Sequence, residues 1–107
     1  MKRYGMMVRV KPGCLDEYRR LHAAVWPDVL EMNRACHIRN YSIYHKDGVL
    51  LSYFEYHGQD FDADMARMAA DSATQRWWNV CKPLLEPLET RGPDEFWAAM
   101  EEVFHAD

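Results

Sequence analysis

Three residues at four-residue intervals, Tyr18, His22 and Trp26, place a hydroxyl, an imidazole and an indole in the segment EYRRLHAAVWP. In an α-helix, residues four apart lie on one side, turned by about 40°. An imidazole with a pKa of about 6.5 can both donate and accept a proton near neutral pH. The spacing therefore favours a proton-transfer group between two aromatic side chains. The alternative is a buried structural histidine bonded to a backbone carbonyl.

Two further aromatic pairs could contribute to a binding site. Trp77 and Trp78 are adjacent, and adjacent helical residues diverge by about 100°, so the two indoles cannot show the same face. An indole near polar groups can hold the apolar side of a sugar, although either residue could instead belong to the core. Tyr41 and Tyr44 fall on opposite faces of an expected strand. The pattern alone leaves open which tyrosine faces the helices.

The cysteines and the remaining histidines show no reactive arrangement. Cys14, Cys36 and Cys81 form no C-x-x-C pair, and they have no apparent base partner. The five histidines and three cysteines also lack metal-ligand spacing, so we expect no metal site and no cysteine nucleophile. An odd number of cysteines favours a reduced, cytoplasmic protein.

Size and charge exclude other classes of protein. The 107 residues, 49% hydrophobic and 13% aromatic, predict one α+β domain over residues 1–107 with a real core. A net charge of −4 without a basic cluster argues against nucleic-acid binding. No apolar run approaches the length that spans a membrane, and the N-terminal segment lacks the apolar core of a signal peptide.

The first half of the chain predicts a strand, a helical region and a hairpin. Alternating apolar residues indicate a strand over residues 4–10. A stripe from Leu15 to Cys36 at steps of three and four predicts a helical region, which Pro27 should divide into two helical segments joined by a kink. Two β-rich runs around Asp47-Gly48 predict a hairpin over residues 38–56.

The second half predicts another helical region and a final strand. Residues 61–68 have an apolar side, and Ser72 with Gln75 resembles a capping box at the start of the next helix. Val103 and Phe104 suggest a last short strand. The order βαββαβ is that of a ferredoxin-like α+β sandwich, with helices on one face of the sheet. In a chain this small, we expect a homodimer to cover the other face.

Four segments in this order, EYRRLHAAVWPDV, NYSIY, QRWW and EVFH, resemble the L-rhamnose mutarotase family over nearly the whole chain. The resemblance implies a dimeric α/β-barrel type of ferredoxin-like fold. It also implies interconversion of the α and β anomers of a free 6-deoxyhexose without cofactor or metal. By the same resemblance, His22 matches the catalytic proton donor, and the sugar-binding positions are Tyr18, Tyr41, Trp77 and Trp78.

One segment departs from the family pattern. The chain has EPLETRGPDEFWAAM where rhamnose members carry an Asn-Pro-Asp-Asn-Ser-like stretch, so L-fucose or a related sugar is an alternative substrate. Two other classes remain as alternatives: a small-molecule or haem-binding module with His22 as axial ligand, and a cofactor-free monooxygenase. In the mutarotase interpretation His22 protonates the ring oxygen, Tyr18 orients the sugar and Trp26 is a structural wall.

Overall fold

The computed structural model describes residues 1–107 and contains five strands and four helices. The predicted βαββαβ order is present, with each helical region divided into two helices. The elements in chain order are β1 (Lys2–Val10), α1 (Leu15–His22), α2 (Pro27–Ala35), β2 (Ile38–Lys46), β3 (Val49–Tyr56), α3 (Phe61–Ala70), α4 (Ser72–Cys81), a 3-10 turn (Lys82–Leu84), β4 (Leu85–Glu86) and β5 (Ala98–Met100).

The strands form one antiparallel sheet with β1 near its middle and β2 at one edge. The order is β2-β3-β1-β4, and β5 pairs with β1 further along the same edge as β4. Val8 lies opposite Leu50 in the β1–β3 pairing. These two residues are 0% and 1% exposed, so the core is centred between this part of the sheet and the helices.

The hairpin is confirmed, and it contains a bulge that affects the site. Asp47 and Gly48 have φ of 52° and 79°. A two-residue hairpin turn of type I′ requires such positive φ values at both residues. The register then shifts between the pairs Arg39–Glu55 and Ser42–Tyr53, so two residues of β2 lie opposite Phe54 alone. The extra residue lets Tyr41 lie on the same side as Phe54, with their ring centroids 5.5 Å apart.

The helical region around Pro27 consists of two helices, as predicted, but a short connecting segment joins them instead of a kink. Trp26 is extended, with φ −60° and ψ 133°, and Pro27 is the first residue of α2. Proline suits the first helical position because its missing N–H has no partner there, and it excludes the helical conformation from the residue before it. The helical stripe through Tyr18 and His22 therefore ends at His22, and Trp26 reaches the site from a connecting segment.

The predicted capping box is also wrong in detail. Asp71 caps α4, and its carboxylate accepts hydrogen bonds from the backbone N–H and the hydroxyl of Thr74. The Gln75 amide bonds to the carbonyl of Ala69 instead of returning to the cap. A carboxylate is the stronger acceptor at a helix N-terminus, where it also interacts favourably with the helix dipole.

The last strand lies earlier than predicted, at Ala98–Met100. Val103 and Phe104 are outside it and are 86% and 83% exposed. Continuing the Gly5–Met100 register would place Phe104 opposite Met1, before β1 begins at Lys2. A strand at Val103 and Phe104 therefore has almost no partner within its own chain. No helix has the length and apolar character needed to cross a membrane.

Candidate active site

His22 is the last residue of α1, and one of its ring nitrogens is already occupied. Its Nδ1 lies 2.8 Å from the backbone carbonyl oxygen of Tyr18. A carbonyl can only accept, so the neutral ring must carry its proton on Nδ1 and donate it there. This bond defines the tautomer and leaves Nε2 with a free lone pair.

The surroundings of His22 keep the ring neutral. Burial lowers the pKa of His22, and the hydrogen bond to the Tyr18 carbonyl opposes this change only in part. The neutral form therefore predominates at neutral pH, and Nε2 is available as a proton acceptor.

Aromatic side chains hold the imidazole in place. The Tyr18 ring stacks on it with centroids 4.0 Å apart, and Trp77 meets it edge-on at 5.1 Å. Trp26 packs against Trp77, also at 5.1 Å and with an interplanar angle of 72°. Trp26 thus has the place of a structural wall, because Trp77 lies between it and the imidazole.

His22 borders two cavities. The larger, of about 600 Å³, lies between α2 and β2, and its lining includes His22, Trp77, Tyr41 and Asn33. The smaller, of about 360 Å³, is lined in part by Tyr18, Tyr44 and His22. The larger volume suits a monosaccharide, since ligand cavities commonly measure about 300–1,000 Å³. The imidazole is therefore accessible to a small molecule.

The two tyrosines are held in their protonated forms. Burial, followed by the nearby Tyr41, raises the pKa of Tyr18 well above its usual range. Tyr41 is 47% exposed, yet the protein atoms around its hydroxyl raise its pKa to about 12. A side chain inside a concave cavity can be reached by solvent and still be poorly solvated, which reconciles these two observations. Both hydroxyls are suited to hydrogen bonding rather than to accepting a proton as phenolates.

The two adjacent tryptophans occupy different surroundings. Trp77 is 7% exposed, packs with Val29 and Cys81, and borders the larger cavity. Trp78 is outside the lining of both cavities, and the Lys82 ammonium lies 4.6 Å from the centre of its ring. The divergence expected of neighbouring helical residues is present, and only Trp77 borders the cavity beside His22.

A family model described as L-rhamnose mutarotase matches residues 3–106. The chain belongs to the L-rhamnose mutarotase family. It is 32% identical over 109 residues to the L-rhamnose mutarotase of Phocaeicola vulgatus and 30% identical over 109 residues to that of Oceanobacillus iheyensis. Both alignments cover 100% of each chain. The family recognised from the four sequence segments, and with it the class of carbohydrate isomerases, is confirmed.

Two solved structures share the fold of this mutarotase-family chain over 100% of both chains. One is an L-rhamnose mutarotase from Formosa agariphila, with a TM-score of 0.79 and 18% identity. The other is tetracenomycin F2 cyclase from Streptomyces glaucescens, with a TM-score of 0.72 and 14% identity. At these identities they support the fold alone, and the predicted ferredoxin-like α+β class is confirmed.

The structure brings most of the residues expected from the mutarotase resemblance to one place. His22, Tyr41 and Trp77 border the larger cavity, and Tyr18 borders the smaller one beside His22. No buried polar side-chain atom lacks a hydrogen-bond partner. The Tyr18 hydroxyl forms no such bond, so it must reach open space. The sugar contact expected of Trp78 has no support from its position and stays a prediction.

Asn33 is a lining residue that the sequence analysis missed. It is half-buried in α2, borders the larger cavity with Trp77 and His22, and its amide has no hydrogen-bond partner in the protein. Its place four residues after Val29, on the inward side of α2, was the available signal. The neighbouring Arg39 already forms hydrogen bonds within the protein, because its guanidinium donates to the carbonyls of Arg34 and Ile38 at 3.0 and 2.9 Å.

No group of three or more His, Cys, Asp or Glu side chains is placed to hold a metal ion. The three cysteines are unpaired, and burial raises the pKa of the Cys81 thiol to about 11. Such a thiol is protonated at neutral pH and is a weak nucleophile. The site therefore offers an imidazole, two phenols, an amide and an indole, which together suit proton transfer on a neutral polyol.

Proposed function

We propose that this protein interconverts the α and β anomers of L-rhamnose, with His22 as the catalytic residue. The observation that carries the proposal is the single free nitrogen of His22. Its Nδ1 is bonded to the Tyr18 carbonyl, and the ring borders a cavity with Trp77 and Tyr41. Family membership supplies the reaction, and this arrangement supplies a group able to perform it.

Mutarotation needs one proton removed from the anomeric hydroxyl and one delivered to the ring oxygen. The bond between the anomeric carbon and the ring oxygen then breaks, and an aldehyde forms. Rotation about the bond between the aldehyde carbon and the neighbouring carbon allows the ring to close on the opposite face of the aldehyde. Both oxygens are attached to the same carbon, so one nitrogen can serve both. His22 Nε2 accepts the hydroxyl proton and returns it to the ring oxygen, directly or through a water.

The tyrosines are unsuited to be the base. Their raised pKa values keep them protonated at neutral pH, so they hold the sugar through hydrogen bonds. Trp77 provides an apolar wall for the C–H side of the ring, and Asn33 supplies an amide for a sugar hydroxyl. General acid–base catalysis by one residue accelerates a reaction by about 10²–10⁴-fold. This acceleration, together with positioning of the sugar, suits a reaction that already proceeds in water.

Saturation-transfer proton NMR on the anomeric signals tests this proposal. The rates are compared with and without protein for L-rhamnose, L-fucose and a non-deoxy aldohexose. Faster exchange of L-rhamnose is the expected result. Exchange that is unchanged for every sugar would contradict a mutarotase function altogether.

L-fucose is the second candidate substrate, because the segment that departs from the family pattern lies close to the site. Phe96 and Trp97 belong to that segment and pack against the core cluster that contains Tyr18. A change in this support can alter how Tyr18 presents its hydroxyl. In the same experiment, a larger acceleration for L-fucose than for L-rhamnose would identify it as the preferred sugar.

The pH dependence follows from the lowered pKa of His22. We expect kcat/KM to be constant through neutral pH, because the neutral imidazole is the active form. It should decline only when the pH falls through the lowered pKa, below the ordinary value of about 6.5. The measurement is the enzymatic exchange rate across pH, with the rate in buffer alone subtracted. A rate that instead falls as the pH rises through this range would indicate that the active enzyme starts from the protonated imidazolium and not from the neutral ring.

Replacing Asn33 by leucine should raise KM for the sugar by about three- to ten-fold with little change in kcat. The loss of one neutral hydrogen bond has this magnitude. Glu31→Leu is the matched control, since Glu31 is exposed on the same helix and outside the cavity lining. Equal KM values for the two variants would remove Asn33 from the sugar site.

We also propose that the protein is a cytoplasmic homodimer that covers the sheet face opposite the helices. Met7 lies opposite Leu51 on that face, and Leu51 is 39% exposed. Exposed apolar residues at the centre of a sheet face indicate a surface that another protein covers. The unpaired cysteines favour a reducing compartment.

A further inference from the structure

Two of the three non-glycine residues with positive φ lie close together beside the larger cavity. His37 has φ of 66° and Asn40 has φ of 51°, whereas the third, Asp47, is in the hairpin turn. This left-handed conformation is unfavourable for residues that carry a Cβ, and glycine would adopt it without strain. Such strain persists only where the surrounding structure holds it, and it clusters at functional sites. Residues 37–41 are therefore called the strained segment below.

The strained segment forms one side of the larger cavity. Ile38, Arg39, Asn40 and Tyr41 all border it. Side chains of a regular strand alternate between the two faces of the sheet. Continuing this alternation from Ile38, which packs with Phe54 on the helix side, would turn Tyr41 away from the helices. The bulge at Asn40 reverses the alternation, so the direction of Tyr41 depends on the conformation of Asn40.

A carboxylate outside the cavity holds Asn40. The Asn40 amide donates to Glu55 at 2.8 Å, and the Tyr53 hydroxyl donates to the other oxygen of the same carboxylate, also at 2.8 Å. Hydrogen bonds from Asn40, His57 and Tyr53 lower the pKa of Glu55 to about 2. The carboxylate is therefore charged at neutral pH, and hydrogen bonds to a charged group are the stronger kind. Glu55 is outside both cavity linings, so it can act on the sugar only through a neighbour.

A second carboxylate holds the other end of the strained segment. Asp64 in α3 lies 3.1 Å from Nδ1 of His37 and also accepts a hydrogen bond from the Tyr56 hydroxyl. A Cβ at Gly58 would collide with the Tyr56 hydroxyl and the Asp64 carboxylate, so the connection before α3 is shaped around this pair. Asp64 is likewise outside both cavity linings.

We propose that Glu55 and Asp64 are positioning residues of the sugar site, which hold Asn40 and His37 and thereby keep the strained segment in the conformation that directs Tyr41 into the cavity. The inference rests on the proposed mutarotase function. A wall that is held in place before the sugar arrives need not be ordered on binding, and this preorganisation improves affinity without any new contact.

The variants Asn40→Gly and His37→Gly remove a tether and the backbone strain together. We expect each to raise KM for L-rhamnose by about three- to ten-fold, the effect of one lost hydrogen bond. The value of kcat should change little, because Tyr41 holds the sugar before and during ring opening alike. The unfolding temperature should stay near that of the wild type, since relief of strain offsets the lost bond. Lower unfolding temperatures with unchanged KM values would make the two residues merely structural and overturn the proposal.

Asp47→Gly is the matched control for these glycine variants. Asp47 has a similar φ of 52°, but its exposed carboxylate lies only near the Lys46 ammonium, at 3.7 Å, and it borders neither cavity. Its replacement should leave KM unchanged. A rise in KM equal to that of Asn40→Gly would contradict a special role for the strained segment.

Variants of Glu55 show whether Asn40 acts through this carboxylate. Glu55→Ala should raise KM as much as Asn40→Gly, and the double variant should raise it no further, because both changes remove the same bond. Glu55→Gln keeps an acceptor oxygen and should recover most of the loss. Additive effects of the two single changes would overturn the role of Glu55. If Glu55→Ala fails to fold by circular dichroism, Asn40→Asp takes its place, because it opposes Glu55 with a like charge and should also raise KM.

Proton NMR of the aromatic side chains gives a readout that is independent of sugar chemistry. The ring centroids of Tyr41 and Phe54 are 5.5 Å apart, which should produce nuclear Overhauser effects between the two rings. These signals should weaken in Asn40→Gly and Glu55→Ala and persist in Asp47→Gly. Undiminished signals in all three variants would overturn the positioning role even if the protein proves to be a mutarotase. Weakened signals, together with a wild-type protein inactive on every sugar, would refute only the proposed function.

Discussion

The variant His22→Ala is expected to lose about 10²–10⁴-fold of the enzymatic anomer exchange rate and to remain folded. The factor is that of a positioned general acid–base group. The loss should appear in kcat rather than KM, because Nε2 exchanges a proton with the sugar only as the ring opens or closes. Saturation-transfer NMR on L-rhamnose gives the rate, and thermal unfolding gives the stability. We expect a stability decrease of about 1–2 kcal/mol from the lost Nδ1–carbonyl bond and ring packing.

The control for His22 is His57→Ala. His57 is exposed, bonds to the Glu55 carboxylate and is outside both cavity linings. Its removal should leave the exchange rate near that of the wild type. If His22→Ala retained wild-type exchange, a structural role for the histidine would be the correct interpretation, and another proton carrier would have to be sought.

Replacing Trp77 should affect stability and sugar binding together. Trp77→Ala removes a 7% exposed indole that packs with Val29 and Cys81, and such truncations cost about 3–5 kcal/mol. The total free energy of unfolding of a domain is about 5–15 kcal/mol, so this variant should unfold at a markedly lower temperature than the wild type. Trp77→Phe keeps an aromatic ring in the core, and we expect it to remain folded while KM rises by about ten-fold from the poorer platform.

Trp78 is the matched control for Trp77. Trp78→Ala should lower stability by about 1 kcal/mol, as is typical of a partly buried position, with KM nearly unchanged. The comparison uses unfolding curves and sugar titrations of the exchange rate. A larger increase in KM for Trp78→Ala than for Trp77→Phe would reverse the roles of the two tryptophans.

Features that depend on neighbouring residues were predictable from the sequence. Asp47-Gly48 specifies its turn because both residues tolerate positive φ. The three- and four-residue steps through Tyr18 and His22 place the imidazole on the inward side of α1. The four sequence segments identified the family, since a joint pattern over the whole chain is far more specific than any one histidine.

Features that depend on residues distant in sequence required the tertiary structure. The bulge opposite Phe54 decides the face of Tyr41, because the register of β2 is set by its pairing with β3 and not by its own alternation. The final strand lies at Ala98–Met100 because β1 offers no partner for Phe104. Asn33 became a candidate only once α2 was packed over β2.

The sequence by itself determined that a histidine between aromatic residues would face the core of a ferredoxin-like α+β fold. Its proton state was decided only by the tertiary structure. The tautomer depends on the hydrogen bond between Nδ1 and the Tyr18 carbonyl, and the lowered pKa depends on burial beside Trp77. Helical spacing determines the direction in which a side chain points, whereas its pKa depends on all the atoms that replace water around it.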